Sequence, residues 1–178
     1  MAVLQITLSW VATRDHRLMV RVNHWRPPKW LRLWMLAATR GGDGWLWHAL
    51  GLAVTLYGGP ERFHAILAAT LAIATGIALF ITLKHAFRRE RPCELEPHCW
   101  ADLLPPDQFS FPSGHTITAF AASVALGGFY PELLPGLLFC AISIAASRVV
   151  LGMHFLSDVL AGAALGATLG ALALAVVR

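Results

Sequence analysis

"FHAILAATLAIATGIALFITL", Phe63 to Leu83, is 21 residues long and carries no formal charge, counting His64 as neutral. Arg62 and Lys84 bracket it. A helix needs about 20 apolar residues to cross the hydrocarbon of a bilayer, so this run predicts a spanning helix. A second run, Val159 to Val177, is 19 residues between Asp158 and Arg178. Gly44 to Pro60, Thr116 to Tyr130 and Leu133 to Ala146 are shorter candidates, extended at their ends by polar residues near the interface. The expected fold is therefore all-α, an integral membrane helical bundle of about five transmembrane helices. Composition agrees. The chain is 57% hydrophobic and 13% charged, with a mean hydropathy of +0.60. A soluble domain carries roughly 25% charged residues, so there is too little polar surface here to coat a water-soluble globule. A length of 178 residues suits one domain.

The chain divides into an N-terminal basic, tryptophan-rich segment, 1–43, and a transmembrane core, 44–178. The first 13 residues are apolar but lack a basic start and a clear cleavage site, which argues against a signal peptide. Arg14, Arg17, Arg21, Arg26, Lys29, Arg32 and Arg40 are interleaved with Trp25, Trp30 and Trp34. Basic residues mixed with tryptophan suit a helix lying among lipid headgroups; a solvated basic arm is the alternative. The pI of 9.4 mostly reflects this segment and the arginines of the later motifs. Nucleic acid is not an expected partner, because the basic stretch abuts membrane helices. In the last helix Gly162, Gly166 and Gly170 recur every four residues. They form a smooth strip for close helix approach, either within the chain or at a dimer seam. The oligomeric state stays open.

Polar residues are costly inside a membrane, so where they gather is informative. They gather in "KHAFRRERP" (Lys84 to Pro92), "FPSGH" (Phe111 to His115) and "SRVVLGMHFLSD" (Ser147 to Asp158). Alternating helix directions put the end of the second crossing, the start of the third, the end of the fourth and the start of the fifth on one membrane face. Three distant motifs thus converge through connectivity.

Lys84, Arg91 and Arg148 supply fixed positive charge, and the arginine forks match phosphate oxygens. Ser113 and Gly114 fall at an expected helix N-terminus, where unpaired backbone N–H groups attract anions. Gly114 lets backbone approach a ligand. Such a pocket stabilises a phosphoryl group in transfer. His154 and Asp158, four apart, would share a helix face, and a carboxylate on one imidazole nitrogen frees the other as a nucleophile. His154 would attack phosphorus to give a phosphohistidine, while His115 protonates the leaving group and later activates water. Read singly, each motif has a plainer explanation: a chance His–Asp spacing, a turn before a helix, a basic anchor for anionic lipid. A non-enzymatic binder of anionic lipids is the corresponding alternative function. Arg88 and Arg89 are extra cations that would meet either a second phosphate or headgroups.

The spacing K-x6-R-P, then P-S-G-H, then S-R-x5-H-x3-D resembles the signature of the type 2 phosphatidic acid phosphatase superfamily. It is matched without a gap by Lys84, Arg91 and Pro92, by Pro112, Ser113, Gly114 and His115, and by Ser147, Arg148, His154 and Asp158. The resemblance covers about residues 44 to 178 and does not need the N-terminal 40. It implies a helical membrane enzyme that dephosphorylates lipid phosphates or diphosphates without metal or cofactor. It implies Lys84, Arg91, Ser113, Gly114 and Arg148 as phosphate ligands, His154 as nucleophile, His115 as general acid and Asp158 as partner of His154. Ser147 and Pro112 are taken as supporting residues. Vanadate-dependent haloperoxidases share the signature, but they resemble larger soluble proteins, and the hydropathy argues against them.

The small size resembles bacterial members acting on undecaprenyl diphosphate. Phosphatidylglycerophosphate, phosphatidate and lipid A phosphates are rivals, as is a phosphotransferase using the same intermediate. The expected location is the bacterial inner membrane, multi-pass, with membrane lipids and a phosphorylated lipid as partners. The side is contested. The basic N-terminal segment shares the face of the site and, by the positive-inside rule, points to the cytoplasm. Cys93 and Cys99, six apart beside the site, could close a disulfide only in an oxidising compartment; the family's bacterial lipid phosphatases commonly face the periplasm, which is the side taken here. A metal site from Cys93, His98 and Cys99 is a further alternative, and Cys140 is read as packing.

Overall fold

A computed structural model describes residues 2–95 and 107–178, with side chains from residue 10 onward. The described residues are helical, joined by short turns. In chain order the helices are α1 (Ala2–His24), α2 (Lys29–Arg40), α3 (Leu46–Tyr57), α4 (Arg62–Phe87), the single turn α5 (Pro92–Leu95), α6 (Gly114–Phe129), α7 (Leu134–Val150) and α8 (Leu156–Val177). Pro27 and Pro28 separate α1 from α2, as expected where proline removes helix donors. Between α2 and α3 a π-helical turn, Gly41–Trp45, carries the chain across a kink, with Gly44 at φ 118°. Only glycine adopts that conformation without strain.

Among the described residues three segments are long and apolar enough to cross a bilayer: Arg62–Leu95, Pro131–Val150 and Leu156–Val177. The other two expected crossings, α6 and α3, fall short of a full crossing. α6 has 16 residues and α3 has 12, roughly 24 and 18 Å at 1.5 Å per residue, against a hydrocarbon core of about 30 Å. For α6 the reason lies in packing: α4, α7 and α8 all pack against it. Its start is taken up by site residues rather than by an apolar entry into lipid.

Burial is sorted by size. Ala65, Ala68, Ala72, Ala121 and Ala125 are inside, whereas Leu67, Leu71, Ile81, Phe139, Leu160 and Leu172 face outward. A water-soluble core would hide the large side chains. A bundle solvated by lipid gains nothing from hiding them and gains close backbone packing from small residues. The glycine strip of α8 belongs to this packing. A Cβ on Gly162 would stand 2.9 Å from the Ser113 carbonyl oxygen, and one on Gly170 would stand 2.7 Å from that of Ala121. Gly166 lies hard against the backbone of Ile117. The strip therefore serves the α6–α8 contact inside the chain.

Gly166→Ala should cost about 1–3 kcal/mol by overpacking that contact. The melting temperature in detergent should fall clearly, while Gly136→Ala, where a Cβ meets nothing within 4 Å, should leave it nearly unchanged.

Candidate active site

The polar helix ends meet at a cavity of about 340 Å³. Lys84 comes from the last turn of α4, Arg91 from the turn after it, Gly114 and His115 from the start of α6, Arg148 from the end of α7, and His154 from the turn before α8; all six line the cavity. Convergence by helix direction, as expected from connectivity, is what the backbone achieves.

The cations are deeply placed: Lys84, Arg91 and Arg148 are 7%, 1% and 2% exposed. Such charges need anions or hydrogen-bond acceptors, because burial otherwise favours the neutral form. Arg91 is held by the Met153 carbonyl at 2.7 Å and by the backbone and side chain of Asp107, each at 2.8 Å. Lys84 donates to the same Asp107 carboxylate at 2.6 Å. Burial raises the Asp107 carboxyl's affinity for protons, but the hydrogen bonds from Lys84 and Arg91 outweigh it and hold its pKa below the usual range. Arg148 donates to the Thr39 hydroxyl at 2.5 Å. Its Nε is buried without a partner among the described residues.

His154 is 2% exposed. Its Nε2 lies 3.3 Å from a guanidinium nitrogen of Arg91. Guanidinium only donates, so Nε2 carries the lone pair and Nδ1 carries the proton. Nδ1 faces the Asp158 carboxylate at 3.7 Å, an ion-pair distance rather than a hydrogen bond. The helical reading of this pair needs correction. His154 precedes α8, and Asp158 sits in its first turn. The Asp158 carboxylate accepts the Phe155 backbone N–H at 2.9 Å and an Arg89 N–H at 2.7 Å. It caps the helix while standing beside the imidazole, the anionic partner that a helix N-terminus favours. Burial, then the charges of Arg148, Arg91 and Lys84, push the His154 pKa well below the ordinary 6.5. A neutral ring with an unprotonated Nε2 aimed at a cationic pocket can act as a nucleophile.

Ser113 and Asp158 lie just behind the cavity wall, both fully buried. The Ser113 N–H donates to the Asp158 carbonyl at 3.2 Å, tying the start of α6 to that of α8. The Ser113 hydroxyl accepts from Thr116 at 2.9 Å, leaving its own proton free to donate. Pro112 follows a cis Phe111–Pro112 bond and is buried beside Ser113. Gly114 admits the ring of Phe80, which a Cβ would meet at 3.1 Å. Ser147 donates to the Ile144 carbonyl of its own helix at 2.6 Å and does not line the cavity.

Four residues here were not picked out from the sequence. Asp107 is one. The others come from the segment expected to lie along the headgroups. Asp15 of α1, 5% exposed, accepts from Arg89 at 2.8 Å and from the Ser157 backbone N–H at 3.1 Å. Thr39 of α2 meets Arg148, and Asp43 meets His115 at 2.7 Å. The available signals were weak: one acid within a run of arginines, and one acid between glycines in "GGDGW". Arg89 is thus engaged by Asp15 and Asp158. Arg88 is exposed and turns back to the His85 carbonyl at 3.2 Å. Cys93 and Cys140 carry free, half-buried thiols. His98 and Cys99, invoked for a metal site or a disulfide, lie outside the described residues.

As pH falls below 6.5, unfolded chains take up a proton that folded His154 refuses, so stability present above that pH is progressively lost. The melting temperature should drop between about pH 7.5 and 5.5, and His154→Gln should flatten that drop. Equal slopes for the two proteins would contradict a neutral His154.

Residues 63–178 match the model of the PAP2 superfamily. The chain is 37% identical over 145 residues to the decaprenylphosphoryl-5-phosphoribose phosphatase of Mycobacterium tuberculosis, covering 78% of each chain. Among solved structures, LpxE of Aquifex aeolicus superposes with a TM-score of 0.76 at 30% identity, covering 89% of this chain and 93% of that one. A PAP2-type phosphatidylglycerolphosphate phosphatase of Bacillus subtilis superposes with a TM-score of 0.71 at 28% identity, covering 92% and 84%.

Proposed function

Since the chain belongs to the PAP2 superfamily of membrane lipid phosphatases, we propose that it hydrolyses a phosphomonoester on a long-chain lipid through a phosphohistidine. The observation that carries this reading is one cavity lined by three buried cations and two histidines. A second, mostly apolar groove of about 620 Å³ adjoins it between α3, α4 and α6, and Gly42, Asp43, Ile77 and Thr118 line both. Phosphate in the cationic cavity and a lipid chain in the groove would place the scissile P–O bond at their junction.

The steps are these. The phosphate exchanges with the Asp107 carboxylate for Lys84 and Arg91, and Arg148 takes a further oxygen. His154 Nε2 attacks phosphorus in line, forming a P–N bond as the P–O bond to the lipid alkoxide breaks. His115 gives its proton to that alkoxide. Water then loses a proton to His115 and attacks phosphorus, the P–N bond breaks, and inorganic phosphate leaves. Asp158 stabilises the positive charge that His154 carries in the intermediate. Metal has no part in these steps.

A monoester is favoured over undecaprenyl diphosphate because, of the two cations that could meet a second phosphate, Arg89 is held by Asp15 and Asp158 and Arg88 turns back to the His85 carbonyl. The relative from Mycobacterium tuberculosis takes its name from a polyprenyl-linked sugar phosphate, a substrate of this class. The site is assigned to the periplasmic face of a bacterial membrane, with exposed Trp25, Trp30 and Trp34 anchoring the basic segment at that surface.

The deciding experiment is phosphate release in detergent across a decaprenyl-linked sugar phosphate, phosphatidylglycerophosphate, phosphatidate, lipid A and undecaprenyl diphosphate. Monoesters should be cleaved faster than the diphosphate; the reverse order would overturn the preference. His154→Ala and His115→Ala should each lower release by about 10²-fold or more, and EDTA should leave it unchanged. Added alcohol should leave the yield of free phosphate intact; phosphoryl transfer to it would make the protein a phosphotransferase. Asp107→Asn should tighten competitive inhibition by inorganic phosphate severalfold, because a neutral amide competes less well for Lys84 and Arg91.

A further inference from the structure

The Gly–Asp–Gly turn between α2 and α3 lies outside the residues matched by the family model, which begin at 63. Yet it reaches the chemistry. Asp43 Oδ1 stands 2.7 Å from His115 Nε2, and both residues line the phosphate cavity. The turn is moulded to this contact. A Cβ on Gly42 would stand 3.1 Å from His115 Cδ2 and 2.9 Å from Ile144. Gly44 takes a positive φ that lets the kinked chain continue into α3. Asp43 also lines the apolar groove, so it stands where a leaving alkoxide would depart.

We propose that Asp43 is a positioning residue for His115, forming a second imidazole–carboxylate pair opposite His154–Asp158. The inference rests on the phosphatase reading above. A carboxylate only accepts hydrogen bonds, so it keeps a proton on Nε2. Nδ1 is then the nitrogen available to the substrate. In the first step imidazolium His115 passes its Nδ1 proton to the alkoxide oxygen as the P–O bond breaks. It is left neutral, with Nε2–H on Asp43 and a lone pair on Nδ1 that can accept a proton from the attacking water. Burial, Arg148 of α7 and Lys84 of α4 oppose an imidazolium there, and Asp43 from the turn offsets them in part.

The test uses leaving groups. The ratio kcat/KM reports only the steps up to phosphoryl transfer onto His154, so the later water attack does not enter. An alkyl phosphate needs a proton on its leaving oxygen, whereas p-nitrophenolate departs without one. For full-length protein in detergent, Asp43→Asn should lower kcat/KM for the alkyl phosphate about 10- to 100-fold, and for p-nitrophenyl phosphate less than about threefold. Asp43→Glu should restore much of the loss. In a His115→Ala background Asp43→Asn should add nothing. Equal losses on both esters, or an additive loss in the His115→Ala background, would overturn the assignment. If Asp43→Asn does not fold, Asp43→Ser carries the same comparison. Wild-type protein that cleaves neither ester would remove the phosphatase reading itself; a wild type that cleaves both, with losses that ignore the leaving group, would remove only the role of Asp43.

Discussion

Three buried cations crowded around one small cavity are the constraint from which the rest of this molecule follows. Lys84, Arg91 and Arg148 repel one another, and at a membrane-embedded site little water screens them. The fold tolerates them by surrounding them with acceptors. Asp107 bridges Lys84 and Arg91, Met153 offers its carbonyl to Arg91, and Thr39 meets Arg148. Burial, and after it the same excess of positive charge, keeps His154 neutral, and that charge gives the cavity a lining that attracts anions.

The N-terminal segment supplies part of the counter-charge. Asp15 holds Arg89, which holds Asp158, which stands beside His154. Asp43 holds His115. Each histidine therefore has a carboxylate, and one branch reaches back to the first helix. A segment rich in arginine contributes acids to the site because acids are what the cationic centre lacks. Trp25, Trp30 and Trp34 of the same segment are exposed.

Packing makes this possible. Alanine and glycine at the α4–α6–α8 contacts bring the backbones close, and the glycine strip of α8 admits the backbone of α6. The Ser113 amide on the Asp158 carbonyl then joins two helix starts directly. Leu67, Leu71, Phe139, Leu160 and Leu172 face outward, and the groove between α3, α4 and α6 adjoins the cavity.

From the chain alone, the all-α membrane character, the long runs of α4 and α8, and the six residues from Lys84 to His154 that line one cavity could be read. Charge-free length and costly polar residues are local signals that survive in a linear string. The extent of α3 could not be read, because helix ends depend on what the neighbours cover. His154 and Asp158 looked like one helix face, yet a helix begins between them. Asp15, Thr39, Asp43 and Asp107 could not be found either. Each earns its place through a partner 16 to 109 positions away, and no spacing rule reaches that far. Hydrophobicity, which is additive along the chain, determined the fold class; charge compensation, which depends on distance in space, was decided only by the tertiary structure.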